Sequence, residues 1–377
     1  MGRLAQTLGR IETIMVTKKQ HFVPQLLLRR FATTVGSESR VNVFDLERRQ
    51  YRKNQNIRDV CSSNYTYDTD DSVEKFLNDH VESPAGGNLE LLSQATAKVD
   101  PRPSPEFLRF VLVQLARTRQ MYQSSLAMTN AGMQTIFGEM ARLNGLDEAA
   151  ARSLRITPAE PRVVYAYLAA YAATQFRLLS DMNLAVVVNR TKTEFILSDH
   201  PVFQHNWYLR ESTHPMAGSI TVRGAQFFLP LSPTVTCCLY DASVYLYRDA
   251  TEGAVIEATE DDVRLLNSFQ AINSGSLLVS RSASMEETLR ELGAKYADTA
   301  AFIESATYSP ATIRDDGTLR STHISQRRQT KLPAMPAFLK IKNKVRRQTI
   351  ECAHRSPEIV AGHEMFDENL RRRDNAP

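Results

Sequence analysis

The hydrophobic period of this chain changes at Asp181, and that change limits its fold more than any other feature of the sequence. Before Asp181, apolar residues recur at three and four, the spacing of helices that bury one face. After it, β-branched and apolar residues come in short runs, separated by turns rich in Pro, Ser and Asp. Helices followed by strands predict an α+β fold, a mostly helical layer packed on a small antiparallel sheet. At 377 residues the length allows two or three units at about 150 residues each. The pattern favours one α+β core over 18–305, helical over 18–181 and sheet-containing over 182–305. An N-terminal extension (1–17) precedes it, and a linker with a basic C-terminal tail (306–377) follows.

Within the first part, Pro24 opens a short helix through Phe31, and Val41 to Asp45 with Tyr51 to Asn54 predict a hairpin. Ser72 to Ala97 is helical in pattern but interrupted at Ser83–Pro84–Ala85–Gly86–Gly87. Ser104 and Pro105 start a helix that reaches Met121, and Pro161 starts another. In the second part, strands are predicted at Leu184 to Val188, Phe195 to Leu197, Gln226 to Leu231, Thr234 to Tyr240 and Leu277 to Ser280. Helices are predicted from Glu260 to Ser274 and from a Ser284/Glu287 capping box toward Phe302.

Composition excludes several classes. With 42% hydrophobic and 23% charged residues, the chain is neither fibrous nor a disordered tail. No run of eighteen apolar residues exists, which predicts no membrane-spanning helix, and the first fourteen residues lack the apolar stretch of a signal peptide. Met15 directly precedes the organised VTKKQHFVP, so residues 1–14 read as an extension from an upstream start. The four cysteines, at 61, 237, 238 and 352, form no C-x-x-C, which argues against a zinc ribbon or a disulfide scaffold and predicts reduced thiols in a cytoplasm.

The net charge of +4 is unevenly placed. Residues 320–377 hold thirteen Lys or Arg against six Asp or Glu, leaving 33 against 36 for the rest of the chain. Affinity for nucleic acid or another anionic ligand would therefore fall on Lys18, Lys19 and the tail run Lys340, Lys342, Lys344, Arg346 and Arg347. A solvated terminus is the plainer alternative.

No phosphate-binding loop, dinucleotide glycine motif, nucleophile elbow or H-E-x-x-H occurs. The informative positions are polar residues within apolar runs, where an unpaired buried group costs about 1–3 kcal/mol. His21 precedes the helix at Pro24, close to an end that favours anions, and could act as a base or close a local hydrogen bond. Phe110, Gln114, Arg117 and Met121, spaced by four, three and four, put an amide and a guanidinium on an apolar helix face. A buried Arg117 calls for a carboxylate, with Glu74, Glu82 or Asp199 as candidates, and an ion pair and an anion site are equally open. The strand EFIL ends at Ser198 and Asp199, which could hold a divalent metal, act as a base or simply close a turn at Pro201. His200, His205 and His214 match no zinc spacing, and Pro230 and Pro233 imply an edge or bulged strand whose Cys237 and Cys238 face opposite sides.

The ordered set QHFVPQLLLRRF, NIRDVCSSNYTYD, LVQLARTR, FILSDHPV, FFLPLSP and Asn267 resembles a bacterial domain-of-unknown-function family, number 4238, over about residues 18–282. The resemblance implies that His21, Gln114, Arg117, Ser198 and Asp199 occupy the family's recurrent polar positions, with Glu74 and Glu82 beside them. His200 stands where the family more often carries Asn. The resemblance brings no activity with it.

Two readings follow. In one, an enzyme of hydrolase or nuclease type acts on a phosphate-containing substrate: His21 and Asp199 are catalytic, and Gln114, Arg117 and Ser198 bind substrate. In the other, a non-catalytic binding or structural module uses the same residues as a buried polar network, with the basic tail as an interaction arm.

Overall fold

Side-chain caps at Ser104 and Thr118 set where two helices of the first half begin. In a computed structural model, residues 19–64, 71–94, 98–153, 157–248, 253–299, 302–313, 319–330, 332 and 334–374 are described. The extension 1–17 and Lys18 lie outside them. The Ser104 hydroxyl accepts the Phe107 N–H at 3.2 Å and starts the Pro105–Ala116 helix. This helix stops at Arg117, short of Met121, because Thr118 caps a new one, Arg119–Leu143, by accepting the Met121 N–H at 3.4 Å. The Phe110–Gln114–Arg117–Met121 stripe therefore does not lie on one helix.

The interruption expected at Ser83–Gly87 is also absent. Ser72–Leu77 continues through a π turn, Asn78–Glu82, into Ser83–Ser93, with right-handed backbone at each junction. Pro84 has no N–H to offer the carbonyl four residues earlier, and a π turn is a common answer to such a gap. That carbonyl, on His80, accepts from Arg109 Nη1 at 3.5 Å. After a short helix, Glu148–Ser153, Pro161 starts the helix predicted there, Pro161–Thr174.

Where one small antiparallel sheet was predicted in the second half, its strands enter two five-stranded sheets. The first runs Ile256–Ala258, Asn183–Asn189, Val235–Tyr240, Gln226–Ser232, Phe203–His205, with all neighbours antiparallel except the parallel Ile256–Ala258 pair. Its register shifts between Val235 and Thr236, opposite Ser232 and Pro230, so the prolines mark a bulge in a central strand. Cys237 and Cys238 do face opposite sides. Cys237 joins the core shared with the helices, and Cys238 joins an aromatic core with Phe203, Trp207 and Tyr245. The second sheet recruits the N-terminal hairpin: Glu38–Asp45 pairs with Thr33–Val35, Gln50–Asn56 and Leu277–Ser280, and the last also pairs with Leu197–Ser198. Strands far apart in sequence thus tie the two halves together.

The segment Glu194–Val202, which carries the Leu197–Ser198 strand, runs from the first sheet to the second and back, and its backbone needs partners there. The Glu260–Asn273 helix supplies them. Its start is a capping box between Thr259 and Asp262, and it presents three buried amides at intervals of three. Asn267 Oδ1 accepts the Ile196 N–H at 3.0 Å while its Nδ2 donates to Glu194 O at 2.8 Å. Gln270 Oε1 accepts the Ser198 N–H at 3.1 Å and its Nε2 donates to Pro201 O at 2.9 Å. Asn273 Nδ2 donates to His200 O and, at 2.9 Å, to Val202 O. The following helix, Glu286–Tyr296, starts after a 3₁₀ turn without a side-chain cap, so the Ser284/Glu287 capping box does not form.

The span read as linker and tail carries elements of its own. Phe302–Ile313 pairs with Leu319–Gln329, and Leu339–Ile341 pairs with Tyr245–Tyr247. Phe338, Leu339 and Val345 are buried in the aromatic core. Arg355 forks onto Asp181, Nε to Oδ2 at 2.7 Å and Nη2 to Oδ1 at 3.0 Å, and so pins the C-terminal segment at the residue where the hydrophobic period changes.

Gln270→Leu should destabilise the fold by about 1–3 kcal/mol for each buried group it strands, Ser198 N–H and Pro201 O among them. Denaturant unfolding would measure this, and an unchanged midpoint would mean that the amide ladder is dispensable.

Candidate functional site

The short Lys19–His21 strand, paired with Ser62–Asn64, delivers His21 into the core instead of to a helix end. The helix after Pro24 is a single turn, Gln25–Leu28, and His21 Nε2 lies 3.2 Å from Ile57 O, which assigns its proton to Nε2. Burial is the main cause that lowers the His21 pKa below its ordinary value, and the Arg117 charge adds to it. Next to it, Gln114 Nε2 donates to Phe22 O at 3.0 Å and its Oε1 accepts from Arg117 Nε at 3.2 Å. Arg117 is 1% exposed, and its Nη1 meets Glu82 Oε1 at 2.7 Å. Of the three carboxylates offered by the sequence, this ion pair falls to Glu82, carried inward by the π turn. Tyr165, which sequence reasoning did not select, donates its hydroxyl to Arg117 O and fixes the end of the helix there. Glu74, on the preceding helical stretch, is half-buried.

Ser198, Asp199 and His200 form a second group at the end of the amide ladder. The Ser198 hydroxyl lies 2.9 Å from His200 O and 3.0 Å from Gln270 Oε1, so its one proton is shared between structural acceptors. The same oxygen accepts the His200 N–H at 3.3 Å, which closes the turn assigned from sequence to Asp199. Asp199 instead reaches across to the residues after the Glu260–Asn273 helix. Its Oδ1 accepts the Gly275 N–H at 2.8 Å, and its Oδ2 accepts the Ser276 N–H at 2.8 Å and hydroxyl at 2.7 Å. Glycine suits position 275, because a Cβ there would sit 3.3 Å from Oδ2. Burial raises the Asp199 pKa despite these donors. His200 Nδ1 lies 2.7 Å from Gln120 Oε1, which makes Nδ1 the donor.

The two groups stand on either side of one backbone pairing, Phe22 N–H to Cys61 O at 3.0 Å. Gln114 holds the Phe22 carbonyl, while the Cys61 thiol is close enough to Asp199 for that carboxylate to add to the upward push of burial on its pKa. Asp199 makes no hydrogen bond to His21: its hydrogen bonds go to Gly275 and Ser276. Asp199 lines a cavity of about 290 Å³ with Arg119, Gln120, Glu47, Ser276 and Asp298. Neither His21 nor Arg117 lines it. Among the described residues no three His, Cys, Asp or Glu side chains are grouped to hold a metal ion. His205 belongs to the aromatic core and His214 accepts the Met216 N–H at 3.2 Å, so the three histidines after Asp199 serve separate places.

Of the expected anion contacts, Lys19 is paired with Asp59, and Lys342 donates to Ala242 O. Lys340, Lys344, Arg346 and Arg347 are exposed. No helix among the described residues is long and apolar enough to cross a membrane.

Removing one partner of the Arg117–Glu82 pair, as in Arg117→Met or Glu82→Leu, should cost about 3–5 kcal/mol. The double variant should lose less than the sum of the two, and strict additivity in the cycle would show that the pair is not coupled. Because burial holds His21 neutral when folded, its contribution to stability is complete above the unfolded imidazole value of about 6.5 and is lost as pH falls through that value toward the folded one. His205, pushed down by burial to about 3, acts in the same direction. Stability should therefore fall from pH 7 to pH 5, less steeply in His21→Gln; equal slopes would exclude His21.

No curated protein and no solved structure matches this chain. A family model does, the one described as protein of unknown function (DUF4238), over residues 19–284. That span contains the His21, Arg117 and Asp199 groups, both sheets and the amide ladder, and on it the chain belongs to the DUF4238 family.

Proposed function

We propose that this chain acts by binding and not by catalysis, and that its family-matching polar residues are a structural lock holding the helical half on the sheets. The Arg117 guanidinium carries this reading. It is buried, neutralised by Glu82 and bonded through Gln114 to Phe22 O, so an internal carboxylate takes the place that a substrate phosphate would need. Ser198 has its hydroxyl committed to Gln270 and His200, which supports the same reading. All four cysteines are free thiols, which supports residence in a reducing cytoplasm. Contact with nucleic acid remains part of the proposal through the exposed Lys340, Lys344 and Arg347, and such binding must weaken as salt rises.

One observation favours a second reading, a hydrolase whose acid or base is Asp199. Its carboxyl, with a pKa raised by burial, lines an open cavity beside Arg119, a cation able to meet a phosphate there. A nuclease and phosphatase panel with Mg²⁺ and Mn²⁺ separates the two. The binding reading expects no turnover that depends on His21 or Asp199. Hydrolysis by the wild type that disappears in Asp199→Asn, at an unchanged unfolding midpoint, would overturn it in favour of the Asp199 cavity.

A further inference from the structure

The largest unexplained polar feature of the second half is an indole. Trp207, the only tryptophan of the chain, is 2% exposed and packs edge-on against His205 and Phe228, at ring-centroid distances of 4.4 and 5.9 Å. Its Nε1–H is buried and meets no acceptor among the described residues. A buried indole N–H usually finds a partner, and leaving one unanswered costs about 1–3 kcal/mol.

Trp207 lines a cavity of about 720 Å³, within the range of about 300–1,000 Å³ typical of small-molecule sites. Tyr208 lies beside it, and the opposite wall is apolar, built from Ile341, Val345 and Ile350 of the C-terminal segment. That wall is held in place: Leu339–Ile341 is paired with Tyr245–Tyr247, and Val345 is buried in the aromatic core. Polar residues are confined to Arg210, Glu211, Ser212 and Arg346. Arg210 stands 3.6 Å from Glu211 in an exposed pair, whereas Arg346 has no carboxylate within ion-pair distance among the described residues. An open, largely apolar cleft with one guanidinium that no carboxylate among the described residues holds fits a ligand that carries an apolar body and a single anionic head.

We propose that this cavity binds small amphipathic carboxylates, with the apolar body against Trp207 and Ile341 and the carboxylate met by Arg346. One wall belongs to the family-matched residues and the other to the segment beyond them, so the site is assembled by the C-terminal addition. The run Lys340–Arg347 then has a use that the reading as a solvated basic arm does not include. This inference does not depend on whether the His21, Arg117 and Asp199 groups are structural or catalytic.

Trp207 provides the test, since its emission reports the cavity directly. The full chain is titrated with octanoate and, as an aryl acid, 3-phenylpropanoate, with octan-1-ol as the uncharged control. At least one acid should change the emission saturably and bind about tenfold or more tightly than the alcohol, the value of a charge-assisted hydrogen bond. Arg346→Gln should weaken the acid about tenfold, and Ile350→Asp, at an exposed wall position, should weaken it by placing a like charge in the cleft. Circular dichroism and the unfolding midpoint verify that both variants fold. No saturable change with either acid would overturn the site. Equal affinity for the alcohol, or for Arg346→Gln, would overturn the anionic head.

Discussion

The crossing of Glu194–Val202 between two sheets is the constraint on which the rest of the molecule depends. A strand that leaves one ladder before joining the next exposes N–H and C=O groups inside the protein, where water cannot reach them. Asn267, Gln270 and Asn273 answer those groups from one helix, in place of a neighbouring strand. Because the crossing is held this way, Leu197–Ser198 can pair with Leu277–Ser280, which in turn pairs with the N-terminal hairpin. Asp199 owes its reach to Gly275 and Ser276 to the same arrangement, since those residues directly follow the helix that carries the amides.

The helical half is fastened by a different device, a buried charge. Arg117 sits where one helix has ended and the next has just been capped, so its side chain leaves the junction and runs inward to Glu82. A π turn in the neighbouring helix brings Glu82 to it, and that turn accompanies a proline that a regular helix would not tolerate. The net stability of the pair is small, because the desolvation of two charges offsets much of their attraction. Removing either partner alone would leave the other charge buried and uncompensated.

A third fastening, Arg355 on Asp181, holds the C-terminal segment, whose Phe338, Leu339 and Val345 share the aromatic core on one face of the first sheet with the Glu260–Asn273 helix. The excess positive charge of residues 320–377 is therefore divided between internal work and exposed cations. Arg355 neutralises a carboxylate, Lys342 holds a carbonyl, and Lys340, Lys344, Arg346 and Arg347 remain at the surface. The cavity beside Trp207 exists only because this segment folds back.

The sequence by itself determined many of the element types and which polar residues of the apolar runs need partners. Period and capping residues placed the helices at Ser104, Pro161 and Glu260 and the strands around Val186 and Phe228, because those signals act within a few residues. It also identified His21, Gln114, Arg117, Ser198 and Asp199, since a polar residue in an apolar run must find a partner wherever it lands. The choice of partner was not legible. Glu82 for Arg117, Gly275 and Ser276 for Asp199, and Asp181 for Arg355 are contacts across 35, 76 and 174 residues. Local propensity carries no information at that range, and only tertiary packing decides which of several chemically adequate partners comes within reach.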